Sequence, residues 1–318
     1  SWFKSDSKQK PTMSPNIIKE RVFPQIQKDS QTLLLVIDNL RYDHWIALRP
    51  LLSEYFSVED DSLYYSILPT TTQYARNALF SGLMPADLEK MYPDLWVDDE
   101  DDEMKNLHEE EMLITQLKRL GYTEKIYFEK ITSINSGKKI TDRVYKISQC
   151  RFSVLVHNFI DILSHARTEM NMIKELANDE AAYRSLTVSW FNHSPLFELL
   201  QELAKKKINV IITTDHGSVN IQNPIKVLGD KNVTSNLRYK QGKALQYDPK
   251  EVFEITKPIE ARLPQCHLSS TYIFATGQNF FAYPNNFNYY AKYYKDTFQH
   301  GGISLEEVIV PYISLKAL

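Results

Sequence analysis

The sequence predicts an α/β fold, a sandwich of helices about a mostly parallel central sheet, and two patterns carry that expectation. Continuous apolar runs of strand length, TLLLVI at 32–37 and INVIITT at 208–214, read as strands buried on both faces, as the strands of parallel sheets are. Stretches of helical spacing lie between such runs, and strands alternating with helices imply crossover connections. Both runs stop at an aspartate, which matters because ligands of open α/β sheets bind beyond the carboxyl ends of the strands.

Taken in order, residues 1 to about 30 are polar, contain Pro11, Pro15 and Pro24, and read as a linker into a body spanning 31–318. With no methionine at its start, the chain reads as an excised part of a longer protein. After the first strand, YDHWIALRPLLSEYF (42–56) has helical spacing, SLYYSIL (62–68) reads as a strand, and TQYARNALFSG (72–82) reads as a helix closed by Gly82. An acidic, helical excursion precedes KIYFEKI (125–131) and RFSVLVHNFI (151–160), both strand-like. A helical stretch over about 176–207 ends in AKKK, cations where a helix C-terminus favours them. INVIITTDHGS (208–218) then repeats the opening design.

Composition is that of a globular protein: 318 residues, 43% apolar and 24% charged, with no run approaching the roughly 18–20 apolar residues of a membrane span. The N-terminus has no apolar segment of a secretory signal, and the two cysteines, Cys150 and Cys266, fit a reducing cytoplasm. A net charge of −3 gives no global bias toward nucleic acid. It conceals acidic runs, DDEDDE (98–103) and EEE (109–111), which read as solvated surface, and basic ones, KKITDRVYK (138–146) and NLRYKQGK (236–243).

The chemistry gathers at strand ends. Asp38 follows the first strand, Asp161 follows RFSVLVHNFI, and Asp215 with His216 follows INVIITT. His165 stands four residues after Asp161, which on a helix puts carboxylate and imidazole on one face. QHGG (299–302) sets His300 beside two glycines that permit close backbone approach. Three carboxylates and three imidazoles suit zinc or manganese, and exceed what one tetrahedral ion needs. A pair of ions about 4 Å apart, as in phosphoryl-transfer sites, accounts for the surplus. In ILPTTTQYARNALFSGLMP (67–85) a hydroxyl at a helix start faces that edge, where amides and dipole favour an anion and a metal would make the hydroxyl a nucleophile. Singly, each piece has a plainer reading: a turn or cap aspartate, an N-cap threonine, a surface ion pair. Their joint occurrence at strand ends favours a site.

The succession DNLR, PTTT…SG, DILSH, TDHG and HGGISLEEVIVP, spread over residues 33–312, resembles the alkaline phosphatase superfamily and its PglZ branch in particular. The resemblance implies an alkaline-phosphatase-like α/β/α sandwich with cap insertions at about 86–150 and 217–298. It implies one metal held by Asp38, Asp215 and His216 and completed by a nucleophilic threonine, and another held by Asp161, His165 and His300. Related phosphodiesterases carry P-T-x-T with the second threonine reacting, ten residues before a glycine; Pro69, Thr70, Thr72 and Gly82 fit, which selects Thr72, with Thr71 as the alternative. Their Pro-Asn after the nucleophile is replaced by QYARN, so Arg76, Asn77 or backbone amides are the candidates for holding transition-state oxygens.

The chain is also similar to the effector domain of PorX-type response regulators, which control type IX secretion. That similarity implies a cytoplasmic, zinc-dependent phosphodiesterase, with manganese a possible substitute, acting on cyclic and linear oligonucleotides. It further implies dimerisation linked to receiver phosphorylation and contacts with an alternative sigma factor and a secretion-motor membrane protein. Arg238, Lys240 and Lys243 are candidates for substrate phosphates. YYAKYYKDTF (289–298) interleaves aromatics with lysines, which suits stacking of bases or else the packed face of a helix. His44, His108, His157, His193 and His267 read as structural, His157 as a support for the site. Two other functions stay open, a non-catalytic signalling module pinned by metals and a phosphomonoesterase.

Overall fold

The computed structural model describes residues 10–26, 30–97, 107–131, 140–177, 179–229, 233–265, 267 and 269–318. Its first strands are β1 (Thr32–Ile37), β2 (Phe56–Tyr65), β3 (Ile126–Ile131), β4 (Phe152–His157) and β5 (Asn209–Thr213). Short strands follow: β6 (Val219–Asn220), β7 (Asn223–Lys226), β8 (Tyr239–Gly242), β9 (Val252–Ile255), β10 (Thr271–Ala275), β11 (Asn279–Ala282) and β12 (Phe298–Gln299). The long β13 (Ile309–Ala317) returns to the central sheet, whose order is β2-β13-β5-β1-β4-β3. β1 is parallel to β4 and β5, and β3 to β4, whereas β13 is antiparallel to both its neighbours, so β2 runs with the other four. The sheet is therefore mostly parallel, as the apolar runs predict.

Both faces of β1 are covered. Leu33, Leu35 and Ile37 pack with Trp45, Leu48, Leu155, Leu199 and Leu203 on one side, while Leu34 and Val36 pack with Tyr74, Ala78, Phe80, Leu113 and Val154 on the other. With every position buried, at about 1.5–3 kcal/mol for each large apolar side chain, no polar alternation is tolerated. Ile37 and Ile131 are both level with His157, and Thr213 is level with Val36. The strands thus end at one edge, and whatever follows them meets there.

Several expectations are redrawn. Residues 10–26 of the expected linker form a helical segment, Ser14–Ile17, Ile18–Val22 and Phe23–Ile26, with Met13, Ile17, Ile18, Val22 and Ile26 in the core. Apolar spacing beneath the prolines outweighs the polar composition. RFSVLVHNFI is strand only to His157; a helix starts at Phe159, so Asp161 lies in its first turn rather than at a strand end. The helical stretch at 176–207 is broken, with Ser194 capping a helix that begins at Pro195 and accepting from the Phe197 N–H at 3.2 Å.

Segment 86–150 is not only an insertion. It supplies the edge strand β3 and helices Glu109–Arg119 and Ile140–Ser148, which pack on opposite faces of the sheet. Segment 217–298 holds the small sheets β8-β10-β9, β11-β7 and β12-β6. Among the described residues, no helix is long and apolar enough to cross a membrane.

Candidate metal centre and its cleft

Asp38 leaves β1 with its N–H bonded to the His157 carbonyl at 2.9 Å, and β5 delivers Asp215 and His216 beside it. All three are buried, with His216 Nε2 3.6 Å from Asp38 Oδ1 and 3.7 Å from Asp215 Oδ2. Thr214 fixes the turn: its Oγ1 accepts from the Leu40 N–H at 3.1 Å and donates to the His216 carbonyl at 2.9 Å. His216 Nδ1 is 3.1 Å from the Gly217 carbonyl, which can only accept, so Nδ1 carries the proton and Nε2 offers its lone pair inward.

Asp38 Oδ1 and Asp215 Oδ2 are buried and lack a hydrogen-bond partner among the described residues. Burial lifts the Asp38 carboxyl to about 7, against the pull of Arg76 and with further push from Asp215 and Asp161; Asp215 is likewise raised by burial. Orphaned carboxylate oxygens beside an inward imidazole lone pair form the donor set of a divalent cation.

A second group adjoins the first. Asp161 Oδ2 lies 3.4 Å from His165 Nε2, one helical turn on, and Asp161 Oδ1 lies 3.6 Å from His300 Nε2. Ligand atoms of Asp161, His165 and His300 fall within 4.8 Å of one another, as do those of Asp38, Asp215 and His216. The His216 and His300 rings stack at 4.2 Å, so the two groups share a wall. Burial raises Asp161, but the His165 hydrogen bond and the charges of His300 and His216 outweigh it and hold the carboxyl below its ordinary range; His165 is raised by the same bond. Burial, then His216, pushes His300 down to about 4. Asn39, which adopts φ 64°, aims Nδ2 at Asp161 Oδ1 at 3.4 Å and joins the groups from below.

The HGG turn is shaped by crowding. Gly301 has φ +120°, and at Gly302 a Cβ would stand 2.7 Å from the Ala275 carbonyl and 2.8 Å from Arg238 Nη2. Glu307 pins the turn, accepting from the Gly302 N–H at 2.8 Å and the Ser304 N–H at 2.9 Å. His300 Nδ1 faces the Thr70 carbonyl at 3.2 Å, which again leaves Nε2 for the site.

The three threonines separate clearly. Thr70 Oγ1 is engaged with Gly301 N and the Gly302 carbonyl, at 3.0 and 2.9 Å. Thr71 Oγ1 is buried without a partner among the described residues. Thr72 opens the helical turn Thr72–Arg76 with Oγ1 3.2 Å from His216 Nε2. That turn runs into Asn77–Ser81 and ends at Gly82, φ 67°. Thr72, Gln73, Asp161, His165, Tyr293 and His300 share a cleft of about 530 Å³.

The charged residues expected at the substrate lie elsewhere. Arg76 is buried beneath the site, paired with Asp38 and Glu109, so it faces the ligands rather than the cleft. Asn77 is buried and does not line the cleft. Arg238 is buried in a two-pronged pair with Glu307, Nε to Oε1 at 3.0 Å and Nη2 to Oε2 at 2.6 Å. Lys240 is buried, bonded to the Thr234 carbonyl at 2.7 Å and set over the Tyr283 ring, and burial pushes its amine down to about 7. Lys243, partly exposed, does not line the cleft either. The basic run thus enters strand β8, and two of its cations, Arg238 and Lys240, are engaged in the interior. Conversely Glu109, from a run read as solvated, is buried against Arg76; the other acidic run, 98–103, lies outside the described residues. YYAKYY forms most of helix Phe287–Tyr294, which packs Phe287 and Tyr294 against the cluster of Val219, Ile221, Phe280 and Ala282 and leaves Tyr289, Tyr290 and Tyr293 exposed, so the packed-face reading holds for one side of the helix only.

Residues 17–315 match the family described as the BREX system PglZ alkaline phosphatase-like domain. No curated protein matches the chain in sequence. Among solved structures, murine ectonucleotide pyrophosphatase/phosphodiesterase 5 superposes with TM-score 0.59 and 13% identity, covering 89% of this chain and 87% of that one. An inactive threonine-to-alanine form of the same murine protein, in complex with AMP, gives 0.60 at 12% identity, covering 90% and 88%. Phosphonoacetate hydrolase from Sinorhizobium meliloti 1021 in complex with phosphonoformate gives 0.52 at 12% identity, covering 90% and 89%. The shared fold is that of the alkaline phosphatase superfamily.

Proposed function

Because the chain belongs to the PglZ alkaline phosphatase-like family, we propose that it is a zinc-dependent phosphodiesterase that cleaves cyclic and linear oligonucleotides. The observation that carries the reading is Thr72: its hydroxyl sits 3.2 Å from His216 Nε2, at the start of a helical turn and at the mouth of the cleft. Asp38, Asp215 and His216 would hold one cation with Thr72, and Asp161, His165 and His300 the other. When bound, the cations would lower the pKa of the hydroxyl and offset charge on the phosphoryl oxygens.

Thr72 Oγ1 attacks phosphorus in line with the leaving group, gives its proton to solvent, and becomes a phospho-threonine as the opposite P–O bond breaks and the departing alkoxide takes a proton from solvent to leave as the alcohol. Water then attacks the same phosphorus, releasing the phosphate monoester and restoring the hydroxyl. The helix start supports the developing negative charge with its free backbone amides. His216 and His300 are held by the Gly217 and Thr70 carbonyls, so neither ring rotates during the cycle. The AMP complex of the murine relative, which shares this fold, supports a nucleotide as substrate.

The motif similarity in the sequence supports the wider setting. The domain is the effector of a response regulator governing type IX secretion, cytoplasmic, dimerising when the receiver is phosphorylated, and contacting a sigma factor and a secretion-motor membrane protein. The test is hydrolysis of bis-p-nitrophenyl phosphate and of a dinucleotide by zinc-loaded protein, with chelated protein and Thr72→Val as controls. Hydrolysis lost in both controls supports the reading. No diester cleaved at any metal loading favours the non-catalytic module, and a preference for p-nitrophenyl phosphate favours the monoesterase.

A further inference from the structure

Helix Phe287–Tyr294 holds four tyrosines and buries none of its residues. Tyr289 is 64% exposed, Tyr293 40% and Tyr290 38%, an unusual concentration of aromatic surface left in water. The rings are ordered among themselves. Tyr289 stacks on Tyr293 with centroids 6.1 Å apart and planes 15° from parallel, and Tyr290 on Tyr294 at 6.2 Å and 16°. Edge-to-face contacts join the two rows, Tyr289 to Tyr290 at 5.2 Å and Tyr293 to Tyr294 at 4.9 Å. One end of this array, Tyr293 and Tyr294, lines the cleft that contains Thr72 and His300; the other, Tyr289 and Tyr290, stands outside it. Lys292, exposed, projects a cation from the same helix.

We propose that Tyr289, Tyr290, Tyr293 and Tyr294 form a stacking track for the nucleobases of a single strand whose scissile phosphodiester lies at Thr72. This rests on the phosphodiesterase reading and adds to it the side of the cleft along which the strand leaves. Every base presents a π-face, so such a track binds without reading sequence, while Lys292 offsets one backbone phosphate. A protein segment would have no such need for two near-parallel aromatic pairs continuous with a phosphate-handling cleft. Glu169 also lines the cleft, and its carboxylate disfavours a phosphate next to it.

The test is binding of a fluorescently labelled phosphorothioate hexathymidylate, followed by anisotropy with and without zinc, against an abasic hexamer of equal phosphate count. The base-bearing strand is expected to bind at least about tenfold tighter. Tyr289→Ala and Tyr293→Ala should each erase much of that preference, and Tyr289→Phe and Tyr293→Phe should keep it. Equal binding of the two strands, no saturable binding of either, or a preference untouched by both alanine variants overturns the proposal. Diester cleavage with no base preference would sink the track alone, whereas base preference without cleavage would sink the enzymatic reading alone.

Discussion

Arg76 donates from Nη1 to Asp38 Oδ2 at 2.8 Å and from Nε to Glu109 Oε1 at 2.7 Å, so one buried guanidinium ties the end of β1 to helix Glu109–Arg119. Lys130 approaches Glu109 from β3 at 3.4 Å. Removing Arg76 would leave the buried Asp38 without its cation and Glu109 with Lys130 alone, and breaking such a buried pair costs about 3–5 kcal/mol. Arg76→Gln is expected to lower the urea midpoint accordingly in zinc-free protein and to recover part of the loss on zinc addition. Arg76→Lys should rescue little, since a single ammonium cannot serve two carboxylates from one fork. A midpoint unchanged in Arg76→Gln would refute the assigned role.

Thr72→Val should lower diester turnover by more than about a thousandfold while zinc content by mass spectrometry stays near that of the parent. Thr71→Val, which removes a hydroxyl that contacts nothing polar among the described residues, should stay within about tenfold. The reverse ranking would transfer the nucleophile's role to Thr71.

The two ligand groups should empty separately. Asp215→Asn is expected to lose about one zinc equivalent and Asp161→Asn about one other, with distinct affinities seen by competition against a chromogenic chelator. Stripping both ions should lower the melting temperature, because a ligand held only by the native state stabilises by about 2.7 kcal/mol at a hundredfold excess over its Kd. A melting temperature indifferent to zinc would argue against both sites.

His44 supplies one part of the pH dependence of stability. The ring is buried edge-on against Tyr183, neither nitrogen has a hydrogen-bond partner among the described residues, and burial pushes its pKa down to about 3. In the unfolded chain the imidazole takes up a proton near pH 6.5, which the fold refuses. The stability contribution is therefore complete above pH 6.5 and shrinks as pH falls toward 3, by roughly 3 kcal/mol at pH 4. His157 and His300, both pushed down to about 4 chiefly by burial, act in the same direction, so His44→Phe should reduce the fall of denaturation midpoints over that window without abolishing it; an unchanged slope would contradict the assignment.

Much of this architecture was legible because strand ends are marked twice, by the apolar run and by the aspartate that stops it. Asp38, Asp215 and His216 are close in space because β1 and β5 are neighbours, and alternation of strand and helix makes that adjacency expected. His300 was legible only through its glycines. Charge pairing was not legible, since Arg238 meets Glu307 across 69 positions and Arg76 meets Glu109 across 33, and no local spacing encodes such pairs. For that reason the acidic run at 109–111 looked solvated and the basic run at 236–243 looked free for substrate phosphates. The tyrosines left two readings open and divide between them, Tyr294 packing on an apolar cluster and Tyr289, Tyr290 and Tyr293 facing water, because helical spacing reports a face but not what covers it.

Strand β13 lies between β2 and β5, and β2 has no other neighbour in the central sheet. The stretch carrying His300 and Glu307 leads directly into β13, so the segment that completes the sheet also brings in the last histidine of the second ligand group. Until that strand arrives, β5 presents an open edge and β2 a detached one. Such long-range closure is slow and exposes edges to wrong pairing. Any cation held by Asp161, His165 and His300 would therefore favour the state in which β13 has joined β2 to β5.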